Sequence, residues 1–508
     1  MVDKNAGKRL KVHVPTEEEH YSKEAESGSG VSTTLDVSDD EDELGRKEAE
    51  RLTQAEAGDV VPFVVSVVRL CGSIPDMANC WRLDWGDTPS SLMNHPLSGI
   101  TLLGLLRFVK RHRKLIDWQQ YWRRLVFITA MSMFNTCLSV VETVLYGGRI
   151  HCTYINPRVV FVLGQPRSGT THIHNLLSQD KERFAVATTF DVGFPSSFLW
   201  TAGWLPFLLQ GLLSETRPMD NMRLSWELPQ EDELATNQLS GGVSPYAAIS
   251  FLRREAWEGM IPWWTLRRED GCTAADRAEW QAAFLYFLKK LQYRSGPNKR
   301  LLLKSPVHTA RIHVLNELFP RARFICVHRD PYVIFRSGLN MASKYYGYAA
   351  LSTPSSEDVF EYVLRQGEVL VRAYIRDASR ILGRSSWIDK FVTNSPGTDA
   401  VSRRLVEIAF TDLDEKPLEA LTLIYGTLRL CEGDERCASV GSFPPVVERA
   451  VSRYLDQLGA FKKNALAELD ADAAGVLKKR WRQLFSAFGY DTRRYRLEDL
   501  APQRLVFL

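Results

Sequence analysis

Apolar and polar positions divide the chain into four stretches. Residues 1–57 are polar almost throughout and include the acidic run Asp39-Asp40-Glu41-Asp42-Glu43. Such a stretch buries too little apolar surface to offset its ordering entropy, so a disordered acidic tail is expected. No apolar core follows Met1, so a standard secretory leader is not expected. Residues 58–150 form an N-terminal extension expected to be helical. Val60–Leu70 is too short to cross a bilayer. Leu125–Tyr146 is long enough, but Asn135, Ser139 and Glu142 interrupt it, and Arg123 and Arg124 precede it. Further on, Phe194–Leu213 is broken by Pro195 and Pro206. Either long stretch can serve as a buried helix of a large domain or as a membrane span. From 151 to 430 the pattern changes: short, continuous, β-branched and aromatic runs alternate with helical segments. Val159–Leu163, Leu301–Lys304 and Phe324–Val327 have the character of parallel strands buried on both faces, and Phe184–Thr189 and Arg404–Leu413 are further strand candidates. This predicts an α/β fold, with a P-loop-like central parallel sheet flanked by helices. Residues 431–508 form a C-terminal extension, whose segment Pro444–Phe488 is predicted helical. It can cover the sheet or support a homodimer.

Composition narrows the classes. The 508 residues are 45% apolar and 25% charged, which suits a globular chain. A net charge of +3 is too mild for nucleic-acid binding, and a mean hydropathy of −0.20 excludes a polytopic membrane protein. The eight cysteines are scattered without a Cys-x-x-Cys pair, so no zinc site is expected. Cys431 and Cys437 are close enough in sequence to close a small loop or to stay free. One local cluster matters more. Arg107, Lys110, Arg111, Arg113 and Lys114 follow the apolar Ile100–Leu106. That arrangement fits a solvated helix face or peripheral contact with an anionic membrane. A cytoplasmic or membrane-associated location is expected; a Golgi-type anchor would need Leu125–Tyr146 to span the bilayer.

Candidate chemistry begins at the end of the first strand. Gly164-Gln165-Pro166-Arg167-Ser168-Gly169-Thr170-Thr171 joins it to a helical segment, His172–Gln179. A strand, a glycine loop and a helix in this order point backbone N–H groups and a helix dipole at one anion. Gly164, Gly169 and Thr171 keep the spacing of the nucleotide-triphosphate loop, but Thr170 stands where its lysine belongs. The cation sits instead at Arg167. An ordinary kinase or hydrolase is thereby disfavoured, while a cradle for another phosphoanhydride remains.

Pro166–Thr171 after a strand resembles the 5′-phosphosulfate loop of sulfotransferases that use 3′-phosphoadenosine 5′-phosphosulfate (PAPS). A second motif strengthens the likeness: Arg323–Pro331 contains a strand ending near Arg329, and Ser337 follows on the next helix. The resemblance implies that Arg329 and Ser337 bind the cofactor's 3′-phosphate, which suits a guanidinium fork and a hydroxyl. Lys304 closes another strand, where several sulfotransferase branches place a lysine at the transferred group. Ser305 is expected to cap the turn beginning at Pro306. Met219-Asp220-Asn221 and Pro229-Gln230-Glu231-Asp232-Glu233 resemble a bacterial and protist branch of the family. Arg404–Leu413 resembles that branch's late strand, with Thr411 replacing a glutamate.

The resemblance implies sulfuryl transfer from PAPS, as co-substrate and without a metal, to a hydroxyl or amine of a small-molecule, lipid or glycan acceptor. Ser168, Gly169, Thr170 and Thr171 would bind the 5′ end, and Arg167 and Lys304 would stabilise the departing phosphate. A base must take the acceptor's proton. His308 is the first candidate, since a helix start lowers an imidazole's proton affinity. Glu231 and Glu233 follow, then Asp191; the glutamates also suit a charged first helical turn. Trp200, Trp204, Trp263, Trp264, Tyr345, Tyr346 and Tyr348 can line an acceptor pocket or simply fill core. Two other classes stay open: a P-loop kinase or hydrolase, and a non-catalytic, membrane-associated adaptor that retains the fold.

Overall fold

Five short runs make one parallel sheet because their middles are apolar and covered on both faces, except that Glu407 sits in the edge strand and accepts from the Tyr374 hydroxyl at 2.6 Å. The structure is a computed structural model, and it describes residues 81–86, 90–92, 95–210, 216, 224–383, 404–431, 443–458, 466 and 468–490. The acidic tail, Val60–Leu70, Met219–Asn221 and Cys437 lie outside them. In chain order the main elements are α1 (Leu102–His112), α2 (Trp118–Cys152), β1 (Val160–Gly164), α3 (Thr170–Leu177), β2 (Phe184–Ala185), α4 (Asp232–Leu239), α5 (Ala274–Ser295), β3 (Arg300–Lys304), α6 (Ile312–Leu318), β4 (Arg323–His328), α7 (Pro331–Met341), α8 (Ser356–Leu382), β5 (Leu405–Ala409), α9 (Phe410–Glu415), α10 (Pro417–Thr427), α11 (Pro445–Leu458), α12 (Ala471–Arg480) and α13 (Arg482–Phe488).

The strand order is β2-β3-β1-β4-β5, all parallel. From β1 the chain builds one side of the sheet through β2 and β3, then crosses to β4 and β5. The carboxyl end of β1 therefore lies at a topological switch point, where such sheets bind ligands. Residues alternate between two apolar layers. Val160, Val162, Leu302, Ile325 and Val406 face α3, α10 and α11. On the other face, Phe161 stacks on Phe324 with ring centroids 5.7 Å apart.

Two predicted elements differ in extent. The second strand stops at Ala185, because Thr188 and Asp191 form a capping box that starts a helix at Thr189. The late strand ends at Ala409, and Phe410 begins α9. The C-terminal helices pack onto α8. Trp481 Nε1 donates to Leu364 O at 2.9 Å, and Arg480 is bidentate on Glu361 at 2.8 and 2.7 Å. Tyr490 beyond them lies 2.8 Å from His328 Nδ1, at the carboxyl end of β4. Cys431 is disulfide-bonded.

α2 is long and apolar enough to cross a membrane by length and composition. It is not a buried apolar helix, however. Its buried side carries Arg124, Asn135 and Glu142 among Tyr121, Ile128 and Leu138, while a second set of apolar residues, Val126, Met133, Val140 and Val144 among them, faces outward. Arg124 donates to the carbonyls of Ser91, Gly347 and Ala350. Asn135 Nδ2 donates to Ser98 O at 2.7 Å, and Glu142 forms a buried ion pair with Lys290. Burial pulls the Lys290 ammonium down to about 8 and pushes the Glu142 carboxyl up, and their mutual attraction opposes both shifts.

Burial also pulls the imidazoles of His95, His112 and His174 from 6.5 down to about 3, helped by the charges of Arg124, Arg111 and Lys304 respectively. Between these values the unfolded chain binds the extra protons. Stability is therefore full above pH 6.5 and declines as pH falls toward about 3. Each group adds a slope of about 1.4 kcal/mol per pH unit in that window. Urea midpoints should drop between about pH 7.5 and about pH 5, and His95→Gln should make the dependence shallower.

Candidate active site

The loop after β1 must bend sharply enough to aim its backbone inward. Gly164 has φ +147°, and a Cβ there would lie 2.5 Å from Val327 O. Gly169 has φ +105°, and its Cβ would lie 2.2 Å from the Phe410 ring. Between them Arg167 takes a left-handed φ of +72°, a costly conformation for a side-chain-bearing residue. Left-handed residues on both sides of Ser168, followed at once by the start of α3, turn successive N–H groups toward one point. Ser168 Oγ is fully buried and has no hydrogen-bond partner among the described residues.

Cations gather around this loop from three strand ends. Arg167 Nε donates to Ser337 Oγ at 3.0 Å, which joins the two sequence motifs at one place. Arg329 Nη1 donates to Arg167 O at 3.5 Å, with its guanidinium carbon 4.1 Å from the Phe410 ring centroid. Burial first, and then the Arg167 charge, pull the Arg329 guanidinium below its usual value. Lys304 ends β3, and its Nζ reaches Thr171 Oγ1 at 3.4 Å and Glu231 Oε1 at 2.7 Å. Arg167, Thr171, Lys304, Arg329 and Ser337 are thus linked in one constellation.

The carboxylate run Glu231-Asp232-Glu233 divides by direction. Glu231 precedes α4 and stays partly exposed, held by Lys304 and by a short bond from the Tyr246 hydroxyl. Burial, and then Glu231, push the Tyr246 phenol well above its ordinary value, so it remains a donor. Asp232 is buried, with Oδ2 2.6 Å from His308 Nε2 and Oδ1 accepting from Ser305 Oγ at 3.2 Å. Burial raises this carboxyl, but His308 and Ser305 outweigh it, and the group lies below its ordinary range. Glu233 is buried too, accepting from Arg311 Nη1 at 2.8 Å and from Ser244 Oγ at 2.7 Å.

Several expected roles change place accordingly. His308 is completely buried between Phe161 and Phe284, with its Nε2 committed to Asp232. Ser305 does not cap the turn Pro306–Ala310. Its Oγ instead accepts the Glu233 N–H at 3.0 Å, capping α4 from outside. Asp191 is buried and bidentate with Arg294. Trp263, Trp264 and Tyr346 are core residues. Sequence reasoning missed Arg311 and Tyr246. Arg311 had a signal: Lys304, His308 and Arg311 fall in one short stretch after β3, against three adjacent carboxylates. Tyr246 had none.

Fold and site define a parallel α/β protein that gathers positive charge at the switch point and sets a lysine–carboxylate pair beside it. The sequence profile of the Sulfotransferase family matches residues 157–430, and the chain belongs to that family. It is an enzyme of sulfuryl transfer. It is 28% identical over 395 residues to the omega-hydroxy-beta-dihydromenaquinone-9 sulfotransferase Stf3 of Mycobacterium bovis, covering 77% of this chain and 90% of that protein. The same figures relate it to Stf3 of Mycobacterium tuberculosis. Among solved structures, sulfotransferase STF9 from Mycobacterium avium shares the fold, with a TM-score of 0.50 at 17% identity over 77% of this chain and 88% of that one.

Arg311→Met leaves the Glu233 carboxylate buried without its cation. Urea unfolding should show a loss of about 3–5 kcal/mol.

Proposed function

We propose that the sulfuryl donor is PAPS and that the acceptor is the hydroxyl of a small molecule or lipid. The observation that carries this reading is Lys304 Nζ standing between the loop hydroxyl of Thr171 and the carboxylate of Glu231. Residues of this chain fit such a donor. Ser168 offers a buried, unpartnered hydroxyl. Gly169, with no Cβ to meet the Phe410 ring, keeps the left-handed turn that aims the loop's backbone N–H groups at a phosphate. Ser168, Gly169, Thr170 and Thr171 would hold the 5′ end, and Arg329 with Ser337 the 3′-phosphate. When bound, PAPS supplies an activated sulfuryl group on a phosphoanhydride.

Lys304 and Arg167 hold positive charge where negative charge grows on the departing phosphate. Removing one such donor should cost about 3 kcal/mol in the barrier. We assign the base to Glu231, the one carboxylate of its run that faces the lysine from a partly exposed position. Tyr246 fixes its orientation. His308 and Glu233 act as positioning residues, since His308 is fully buried with Nε2 on Asp232, and the Glu233 carboxylate is held by Arg311. A hydrophobic alcohol as acceptor is supported by the relative Stf3, named for an omega-hydroxylated dihydromenaquinone.

Thermal unfolding with 3′-phosphoadenosine 5′-phosphate tests the donor. At about 100 times its dissociation constant the ligand should add about 2.7 kcal/mol of stability. ADP should give less, and Arg329→Ala should abolish the difference. A shift with ATP–Mg²⁺ alone would overturn the reading.

Glu231→Gln should lower kcat about 10²–10⁴-fold with PAPS while keeping the unfolding shift. A fully active Glu231→Gln enzyme would remove this residue from the role.

A further inference from the structure

α2 is amphipathic in the reverse of the usual sense. Its buried polar residues Arg124, Asn135 and Glu142, with Ile128 and Leu138 between them, are committed to the body of the protein. Its apolar side faces outward: Trp122, Val126, Met133, Val140 and Val144 follow one another along one stripe, and Val144 is 80% exposed. From Trp122 to Val144 the stripe is about 33 Å long. Crossing a bilayer would pull Arg124 and Glu142 from their partners into hydrocarbon, at high cost. The helix therefore lies along the body, and no other described residue covers its apolar stripe.

Neighbouring elements extend the stripe. Leu102 N–H donates to Thr136 Oγ1 at 2.8 Å, which sets the start of α1, with exposed Leu103 and Leu106, beside the middle of α2. On the other flank Trp200 Nε1 donates to Leu138 O at 3.0 Å. The short helix after it presents Phe207, which is 78% exposed, and Leu208. Charge says what covers this face. On α1 the exposed leucines share a side with Arg107 and Lys110, and exposed Arg113, Lys114 and Arg123 follow. From Leu102 to Cys152 the carboxylates are Asp117, bonded to Arg253 at 2.7 Å, and the buried Glu142.

We propose that this face seats the enzyme on the surface of an anionic phospholipid bilayer, with the stripe of α2 lying in the plane of the membrane among the acyl chains. An apolar stripe bordered by cations is the chemistry that binds such an interface. The inference does not rest on the donor or acceptor proposed above, and its test reads binding rather than turnover. The full-length protein is co-sedimented with vesicles of phosphatidylcholine, and with vesicles that also contain about 30% phosphatidylglycerol. It should bind the anionic vesicles, and less so as salt is raised. Lys110→Glu with Lys114→Glu should weaken binding by about tenfold or more. Val126→Glu with Val144→Glu should weaken it by about as much, with an unchanged unfolding midpoint. Wild-type protein that stays in the supernatant, or a Val126→Glu/Val144→Glu variant that sediments like wild type, would overturn the proposal. So would light scattering that shows a dimer dissociating in that variant, which would assign the face to a second copy.

Discussion

Three adjacent carboxylates at one helix start cannot share a partner. Glu231, Asp232 and Glu233 begin α4, where the helix dipole favours negative charge but their mutual repulsion opposes it. Burial of the last two raises the demand, since an uncompensated buried charge costs several kcal/mol. All three find their counter-groups in the short stretch from Lys304 to Arg311 that follows β3. That set of bonds fixes the start of α4 against the end of the sheet. It also leaves Glu231 standing opposite Lys304, next to the loop after β1.

The opposite sign is concentrated on the other side of Lys304. Arg167 and Arg329 lie together in a half-buried place, and Arg167 holds a left-handed backbone to get there. Like charges brought together at that cost make sense around a bound polyanion. The sheet supplies the place, since the loop leaves β1 where the chain switches sides. The proposed reading uses both halves: charge to receive a departing phosphate, and the Glu231 carboxylate near the incoming oxygen.

Much of this was legible. The strands are continuous apolar runs because both faces of the sheet are covered, and their ends carry Arg167, Lys304 and Arg329 in the spacing that the motifs imply. The division of labour among the acidic residues was not. Neighbours in sequence point to different faces at a helix start, so Glu231 and Glu233 looked equivalent. Ser305 seemed placed to cap its own turn, yet its hydroxyl reaches a helix 72 residues earlier. His308 seemed free to act as a base, but Asp232, 76 residues earlier, takes its Nε2.

α2 shows the same boundary. Its length, its apolar content and the positions of Asn135 and Glu142 were all readable in the sequence, and they suited a buried helix or a span equally. Only the tertiary structure decided that the polar residues face inward, because their partners, Lys290 and the carbonyls near residues 91, 98 and 347, come from distant segments. Local spacing determines which side chains share a face. Which face is buried depends on the groups that the rest of the chain brings to meet it.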